Sequence, residues 1–385
     1  MQSALTVVCL QDRAQLDRLE PQWDRLLASS DVASPFLTPG WQAAWLDTYG
    51  RGRLLWVLTA HRADRLVGLW PLTLVRRSIF RVLEPAGAGR SDWLDVLTTD
   101  VDRGDVVAAF LAYLANRRRD WDLLECRDVL SESPSVCAFE QLDSGAGLRC
   151  RRAERSVAPY LQLAGSWQEY LNTKASKSRA TLKKKRRLAD QQCTNFRIGR
   201  HEWQKDDPIV DRLAEVELRS WKARDGNLKI STTVGREFYR RFCGYFAGRK
   251  QLDLWRADYD GGLIAYLVNI CYGGKCYHYN ASFDERYGQV SPGLLLHAEA
   301  IQEGFRLQLS EYDFLSGDEP YKDRWCSSKR PIHHLAFYSS NLRSRAAFLA
   351  LVGARWVFRK SNTLRAARQR LLALSRRLRR RGENQ

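Results

Sequence analysis

The strongest constraint on the fold of this chain lies in residues 284–325, DERYGQVSPGLLLHAEAIQEGFRLQLSEYDFLSGDEPYKDRW. Ser291 is a residue type that caps helix N-termini, and Pro292 suits the first helical position, where its missing N–H costs nothing. Leu294, Leu295, Ala298, Ile301 and Phe305 then recur at helical spacing and define one apolar face. Gly288 and Gly293 allow a ligand close to the backbone. Such a start leaves N–H groups at the positive end of the helix dipole, where a phosphate or pyrophosphate is favoured. Residues 311–315 (EYDFL) read as a short strand. The predicted unit is turn, helix, strand and loop, an anion-binding helix start on an α/β sheet. An ordinary Ser-Pro helix start satisfies the same pattern.

Upstream, helices are predicted over residues 16–27 and after PFLTPG, where Trp41 and Trp45 share one face. Strands are predicted over 54–60, 66–75, 94–97 and 121–126, with an amphipathic helix over 106–117. Residues 131–147, rich in Ser and Gly, read as the weakest join, followed by a strand over 160–163. The second half repeats the order. Residues 252–279 pattern like 54–74: a Leu-Trp strand, a polar turn and an apolar strand. Each is followed by a helix and an Asp-hydrophobic-Leu strand, around Asp122 and Asp313. Two related α/β units side by side are expected, over 1–150 and 151–340. The first unit reads TTDVDRGDVV where the second has SPG, so only the second is expected to hold an anionic carrier.

The net charge of +18 is concentrated. Residues 174–187 carry eight basic and no acidic side chains, and 341–381 carry thirteen and none. With both set aside the chain is close to neutral. Such segments meet phosphates of nucleic acid or anionic lipid, or form solvated helix faces. In the tail, Leu364, Leu371 and Leu378 recur every seven residues among arginines, below Trp356 and Phe358. That pattern describes a helix lying in an anionic membrane surface, or one packed back on the fold. No stretch reaches the roughly 18–20 apolar residues of a spanning helix. The N-terminus lacks the pattern of a secretory signal. Nine cysteines without a CxxC pair fit reduced thiols of a cytoplasmic protein, and no metal site is expected.

SPGLLLHAEAI at 291–301 and YDFLSGDEPYKDRW at 312–325 resemble the signature region of bacterial acyltransferases associated with cellulose and exopolysaccharide synthesis, within the GNAT acyl-CoA N-acyltransferase superfamily. PFLTPGWQAAW at 35–45, SKSRATLKKKRRL at 176–188 and ELRSWKARDG at 217–226 extend the resemblance over most of residues 20–338. It implies a tandem GNAT-like α/β fold, two mixed sheets with flanking helices, shared with the Fem-type peptidyltransferases. It also implies acetyl-CoA or another acyl-CoA as co-substrate, with the thioester bound where two parallel strands splay.

On that reading Gly288, Ser291, Pro292, Gly293 and Leu294 form the carrier site, with the N–H groups of Ser291, Gly293 and Leu294 facing the pyrophosphate. His278 and Tyr279 alternate along one strand, so one of them is expected to face the cleft, as base or as proton donor. Either is equally a core residue. Asp313, flanked by Tyr312 and Phe314, is a candidate base or else the partner of Lys322 or Arg324 in an ion pair. Lys322 and Tyr321 lie on the loop after it. The resemblance puts Glu217, Trp221, Lys222 and Arg179 on the acceptor side, with Glu217 and Trp221 one turn apart. With no local Ser-His-Asp or nucleophilic Cys pattern, direct transfer is expected. Three roles fit: an N-acyltransferase acting on an amino-sugar or similar glycan or nucleotide-sugar precursor, a Fem-like transferase using aminoacyl-tRNA, or a non-catalytic tether for a polysaccharide synthase.

Overall fold

The computed structural model describes residues 4–353, apart from 33, 143–146, 193–195 and 327. Two sheets organise them. A four-stranded sheet has the order Leu5–Leu10, Val57–Arg62, Arg65–Trp70, Leu97–Thr98. An eleven-stranded sheet crosses the whole molecule. From one edge it runs Arg197–Arg200, Leu252–Tyr259, Gly262–Tyr272, Lys275–Phe283, Glu311–Asp313 and Leu148–Gln162. It continues through Ser328–Ser339, Leu123–Leu130, Phe80–Pro85, Leu72–Arg77 and Leu54–Leu55.

Each half holds one parallel pair. Phe80–Pro85 runs parallel to Leu123–Leu130, with helix Arg103–Asn116 between them in sequence. Lys275–Phe283 runs parallel to Glu311–Asp313, with helix Pro292–Arg306 between. A parallel pair needs such a crossover, which is why the helix-then-strand order recurs. The halves are joined by two long strands at the sheet centre, Leu148–Gln162 and Ser328–Ser339, paired antiparallel along their length. Position 150, expected to end the first unit, therefore falls inside a strand that both halves share.

Several expected elements are displaced. Residues 16–27 form two helices, Arg13–Arg18 and Glu20–Ala28, because Pro21 sits in the first turn of a new helix. The 131–147 join contains a helix, Pro134–Leu142. Glu217 and Trp221 do not share a helix: Ile209–Leu218 ends, Ser220 caps a new start through Lys222 N–H, and Trp221–Asp225 follows. The tail expected from residue 341 begins inside the fold. Asn341 caps helix Leu342–Phe348, and the Phe348 ring stacks on Tyr338 at 4.5 Å. Residues 354–385, with the leucine heptads, lie outside the described residues.

The expected shared face of Trp41 and Trp45 is present in helix Pro39–Asp47, where both are fully buried. Trp41 packs against Phe238, Phe242 and Tyr279 at 5.1, 4.9 and 5.1 Å between ring centroids. Phe238 and Phe242 belong to helix Thr233–Gly248 of the second half, whose apolar face is buried here. Gly40 permits the approach: a Cβ there would lie 1.9 Å from the Tyr245 ring.

Candidate active site

The last parallel pair between Lys275–Phe283 and Glu311–Asp313 is Tyr277 with Asp313; beyond it the two strands part. A cleft of about 790 Å³ opens at this splay. One wall is the start of helix Pro292–Arg306, with Gly288, Ser291, Gly293 and Leu294. The floor is His278 to Phe283, and Trp221, Lys222, Tyr321 and Lys322 close the rim. Ten of the fourteen residues singled out in the sequence therefore meet in one place. Pro292, Arg179, Glu217 and Asp313 do not line it.

The helix start is uncapped by any side chain. Ser291 adopts a left-handed conformation (φ 54°, ψ 58°), and its Oγ donates to Gly288 O at 3.2 Å instead of capping. Its N–H donates to Gly288 O (3.1 Å), and Leu294 N–H to Ser291 O (3.0 Å). Of the three N–H groups expected to face a carrier, only that of Gly293 is without a partner among the described residues. An uncapped start of a four-turn helix, opening on a cleft, fits an anion such as a pyrophosphate.

His278 and Tyr279 both line the cleft, against the expectation that alternation admits one. The two still face opposite sides; the cleft lies where the strand pairing ends and reaches both, and the strand is bulged here. Asn269 faces His278 while Val268 faces Asn280, so Tyr279 is the extra residue. Tyr279 and Asn280 consequently turn to the same side: the Tyr279 ring lies 5.8 Å from Tyr239, and Asn280 Nδ2 donates to Tyr239 Oη at 2.9 Å. His278 faces the other side, 4.7 Å from the His297 ring. Burial, with the charges of His297 and Lys322, holds His278 well below the ordinary imidazole range, and His297 is pushed down to about 3. Both are neutral near pH 7 and weak as proton acceptors.

Asp313 is fixed, but not by Lys322 or Arg324. Trp93 Nε1 donates to its Oδ2 (3.0 Å), Leu315 N–H to its Oδ1 (2.7 Å), and Arg330 stands 3.7 Å away. Lys322, buried, instead donates to Ser316 O (3.0 Å) and Gly317 O (3.3 Å) and pairs with Glu319, which sets the loop. Glu217 is buried and accepts from the N–H groups of Lys229, Ile230 and Ser231, which ties that segment to its helix. Arg179 donates to Asn172 O.

Three carboxylates line the cleft, Asp128, Glu319 and, from a loop of the first half, Asp92. Burial is the main cause raising it, with the Asp128 charge adding and Lys229 and Lys322 opposing, to about 7. It is partly open to the cleft but removed from bulk water. Its loop is held by motif residues. Trp41 Nε1 donates to Ser91 Oγ (2.7 Å), Gln42 Nε2 to Ala86 O (2.9 Å), and Tyr279 Oη to Arg90 O (3.1 Å). Trp93, next in sequence, holds Asp313. Trp93, Asp128 and Leu315 all have φ between 53° and 57°, a costly conformation for bulky side chains. Opposite, Lys222 donates to Asn280 Oδ1 (2.5 Å) and Ala281 O (2.6 Å), and burial lowers it to about 7. The cleft thus holds an acid and an amine that both titrate near neutrality, between an anion-binding helix start and a strand bulge.

Residues 176–323 match the family model described as an acetyltransferase (GNAT) domain. The chain carries a GNAT-type acyltransferase domain. No curated protein matches the sequence. Many solved structures share the fold over most of this chain, among them the following three. FemX has 11% identity and a TM-score of 0.60, over 86% of this chain and 98% of that one. The C-terminal domain of a putative lysylphosphatidylglycerol synthetase from Agrobacterium fabrum has 11% and 0.55, over 88% and 96%. A tandem GNAT protein from the clavulanic acid biosynthesis pathway has 14% and 0.51, over 86% and 98%. The matched GNAT segment begins with the basic helix and ends in the YKD of the signature loop, so it contains the helix start and the bulge. Asp92 lies outside it. No helix among the described residues is long and apolar enough to cross a membrane.

Proposed function

We propose that the protein transfers an acyl group, acetyl in the simplest case, from acyl-CoA to an amine of a polar acceptor, an amino-sugar or related precursor in exopolysaccharide or cell-envelope glycan synthesis. The observation that carries the acyl-transfer reading is the splay itself: an uncapped helix start, a bulged strand and a carboxylate titrating near 7, all on one cleft. Gly293 N–H and the helix dipole would hold the pyrophosphate, with Gly288 shaping the turn. The carrier supplies an activated thioester carbonyl. The bulge at Tyr279 leaves backbone outside both ladders, available to polarise that carbonyl.

Asp92, as carboxylate, takes the proton from the acceptor amine, and the Ser316 N–H, 3.5 Å from its Oδ2, holds it in place. Tyr279 and Asp313 are positioning residues, each holding the Asp92 loop from one side. Among the described residues no cysteine lines the cleft, which fits direct transfer. Trp221, Lys222 and Tyr321 border the acceptor side. The glycan acceptor rests on the resemblance of the signature motifs. The test is turnover of acetyl-CoA with a panel of amino-sugars and nucleotide amino-sugars. Acylated amine should form with the wild type and be lost in Asp92→Asn. A chain that binds acetyl-CoA yet acylates no amine on the panel would overturn the acceptor class.

One observation favours a second reading, a Fem-like donor of aminoacyl-tRNA. Helix Ser176–Gln192 lies against the carrier helix, where Lys185 donates to Gln289 O and Arg186 pairs with Glu299. Its outer face exposes Lys177, Lys183, Lys184 and Arg187. A polyanion at the cleft mouth would meet this face. Salt-sensitive tRNA binding, without acetyl-CoA binding, would select this alternative.

A further inference from the structure

Among the described residues, one group of metal-ligating side chains lies outside the cleft. Asp253, Cys271 and Cys276 offer ligand atoms that all lie within 4.8 Å of one another. Three adjacent strands bring them together. Gly273 and Gly274, both at positive φ, make the two-residue turn that pairs Tyr272 with Lys275 and then Cys271 with Cys276. Cys271 N–H donates to Gln251 O on the far side, so it is not spent on Cys276. The cysteines therefore form a non-hydrogen-bonded pair, the kind in which opposed side chains stand closest. Asp253 faces Asn269, two residues from Cys271 on the same side of the sheet.

The carboxylate is already oriented. Trp255 Nε1 (2.9 Å) and Asn269 Nδ2 (3.0 Å) donate to its Oδ2, and Arg200 Nε stands 2.9 Å from Oδ1. Such outer partners are what hold a carboxylate ligand in place. Cys276 and Asp253 are buried, while Cys271 is partly exposed and gives a path from solvent. Two thiolates and a carboxylate beside one guanidinium carry a charge of about −2, which a divalent cation neutralises. Two sulfurs select a thiophilic ion over magnesium or calcium. Zinc–sulfur bonds of about 2.3 Å place two sulfurs about 3.8 Å apart, within reach of small side-chain rotations.

We propose that Asp253, Cys271 and Cys276 bind a thiophilic divalent cation of the zinc type. On binding, each thiol gives up its proton to solvent as its sulfur bonds the metal. The ion would sit at the end of a polar chain into the active site. Asn269, which holds Asp253, accepts from Tyr312 Oη (3.1 Å) and faces His278 Nδ1 (3.3 Å), and His278 lines the cleft. The sequence, having no CxxC, hides the pair: CYGGKC becomes a site only when the Gly-Gly turn folds the strand back.

Cadmium provides the test, titrated into the full chain kept reduced with a phosphine. The expected result is one equivalent bound, with thiolate-to-cadmium charge-transfer absorption and release of two protons; excess zinc should displace the cadmium and remove the band with no further proton change. Cys271→Ser should abolish the band, Asp253→Asn should weaken binding tenfold or more while keeping it, and Cys137→Ser, at an exposed cysteine elsewhere, should change nothing. Cys271 is partly exposed, so its serine variant keeps the fold, checked by circular dichroism. Absence of a stoichiometric ion in the wild type, or an unchanged band in folded Cys271→Ser, overturns the proposal.

Discussion

At the level of single residues, the site turns on a carboxylate that the signature motifs do not contain. Asp313, Tyr279 and His278 are legible because they sit in patterned strands. Asp92 sits in a loop, GRSDW, with no periodicity, and only the tertiary contacts of Trp41, Trp93 and Tyr279 show what it is for. Its titration yields a two-sided prediction. Raised to about 7 when folded, against about 3.9 unfolded, Asp92 binds a proton in the native state that the unfolded chain has lost. The stability this contributes is full below about pH 4 and is lost as pH rises through about 7. The thermal stability of Asp92→Asn relative to the wild type should therefore rise between about pH 4 and pH 7 and level off above. Its kcat should fall by about 10²–10⁴, the span typical of a lost general base, and the rising limb of the pH–rate profile near 7 should disappear. A variant with unchanged kcat, or one whose relative stability is flat with pH, contradicts the role.

At the level of elements, periodicity found the carrier helix, the strand before it and the basic helix, since each buries one apolar face. It found only the end of one central strand, at 160–163, and missed the rest of it and the whole of the other. Leu148–Gln162 is one-third charged and contains Pro159, and Ser328–Ser339 contains Pro331 and two histidines, so neither alternates cleanly. Their strand state is imposed by pairing with each other. The bulge at Tyr279 is likewise a property of the ladder and has no one-dimensional signal. The basic helix allows a prediction of its own. Lys183, Lys184 and Arg187 are exposed beside the carrier helix, and none is in an ion pair among the described residues. Replacing all three with Gln should raise the KM of a phosphate-bearing acceptor several-fold and leave acetyl-CoA affinity alone. Equal loss of both, in a folded variant, would assign the helix a structural role.

At the level of the whole molecule, the halves form one body through the central strands and through Trp41 packed on helix Thr233–Gly248. Gly40→Ala tests that join, because a Cβ there meets the Tyr245 ring at 1.9 Å. Overpacking of this kind costs about 1–3 kcal/mol, measurable as a lowered denaturation midpoint. Since the Asp92 loop hangs from the same helix through Trp41, kcat should fall more than acetyl-CoA affinity. The basic tail carries a separate expectation, peripheral binding to anionic membrane. The informative truncation ends at Gly353, because helix Leu342–Phe348 is part of the fold. Sedimentation with anionic vesicles should be lost on that truncation and fall with salt; an unchanged pellet would place the contact elsewhere. The most direct test of the account is calorimetric titration of acetyl-CoA into the full chain and into Gly293→Asp. Binding of one equivalent by the wild type, weakened more than tenfold by a carboxylate at the helix start, is the predicted result. Equal affinity in the folded variant, or no binding by the wild type, would contradict it.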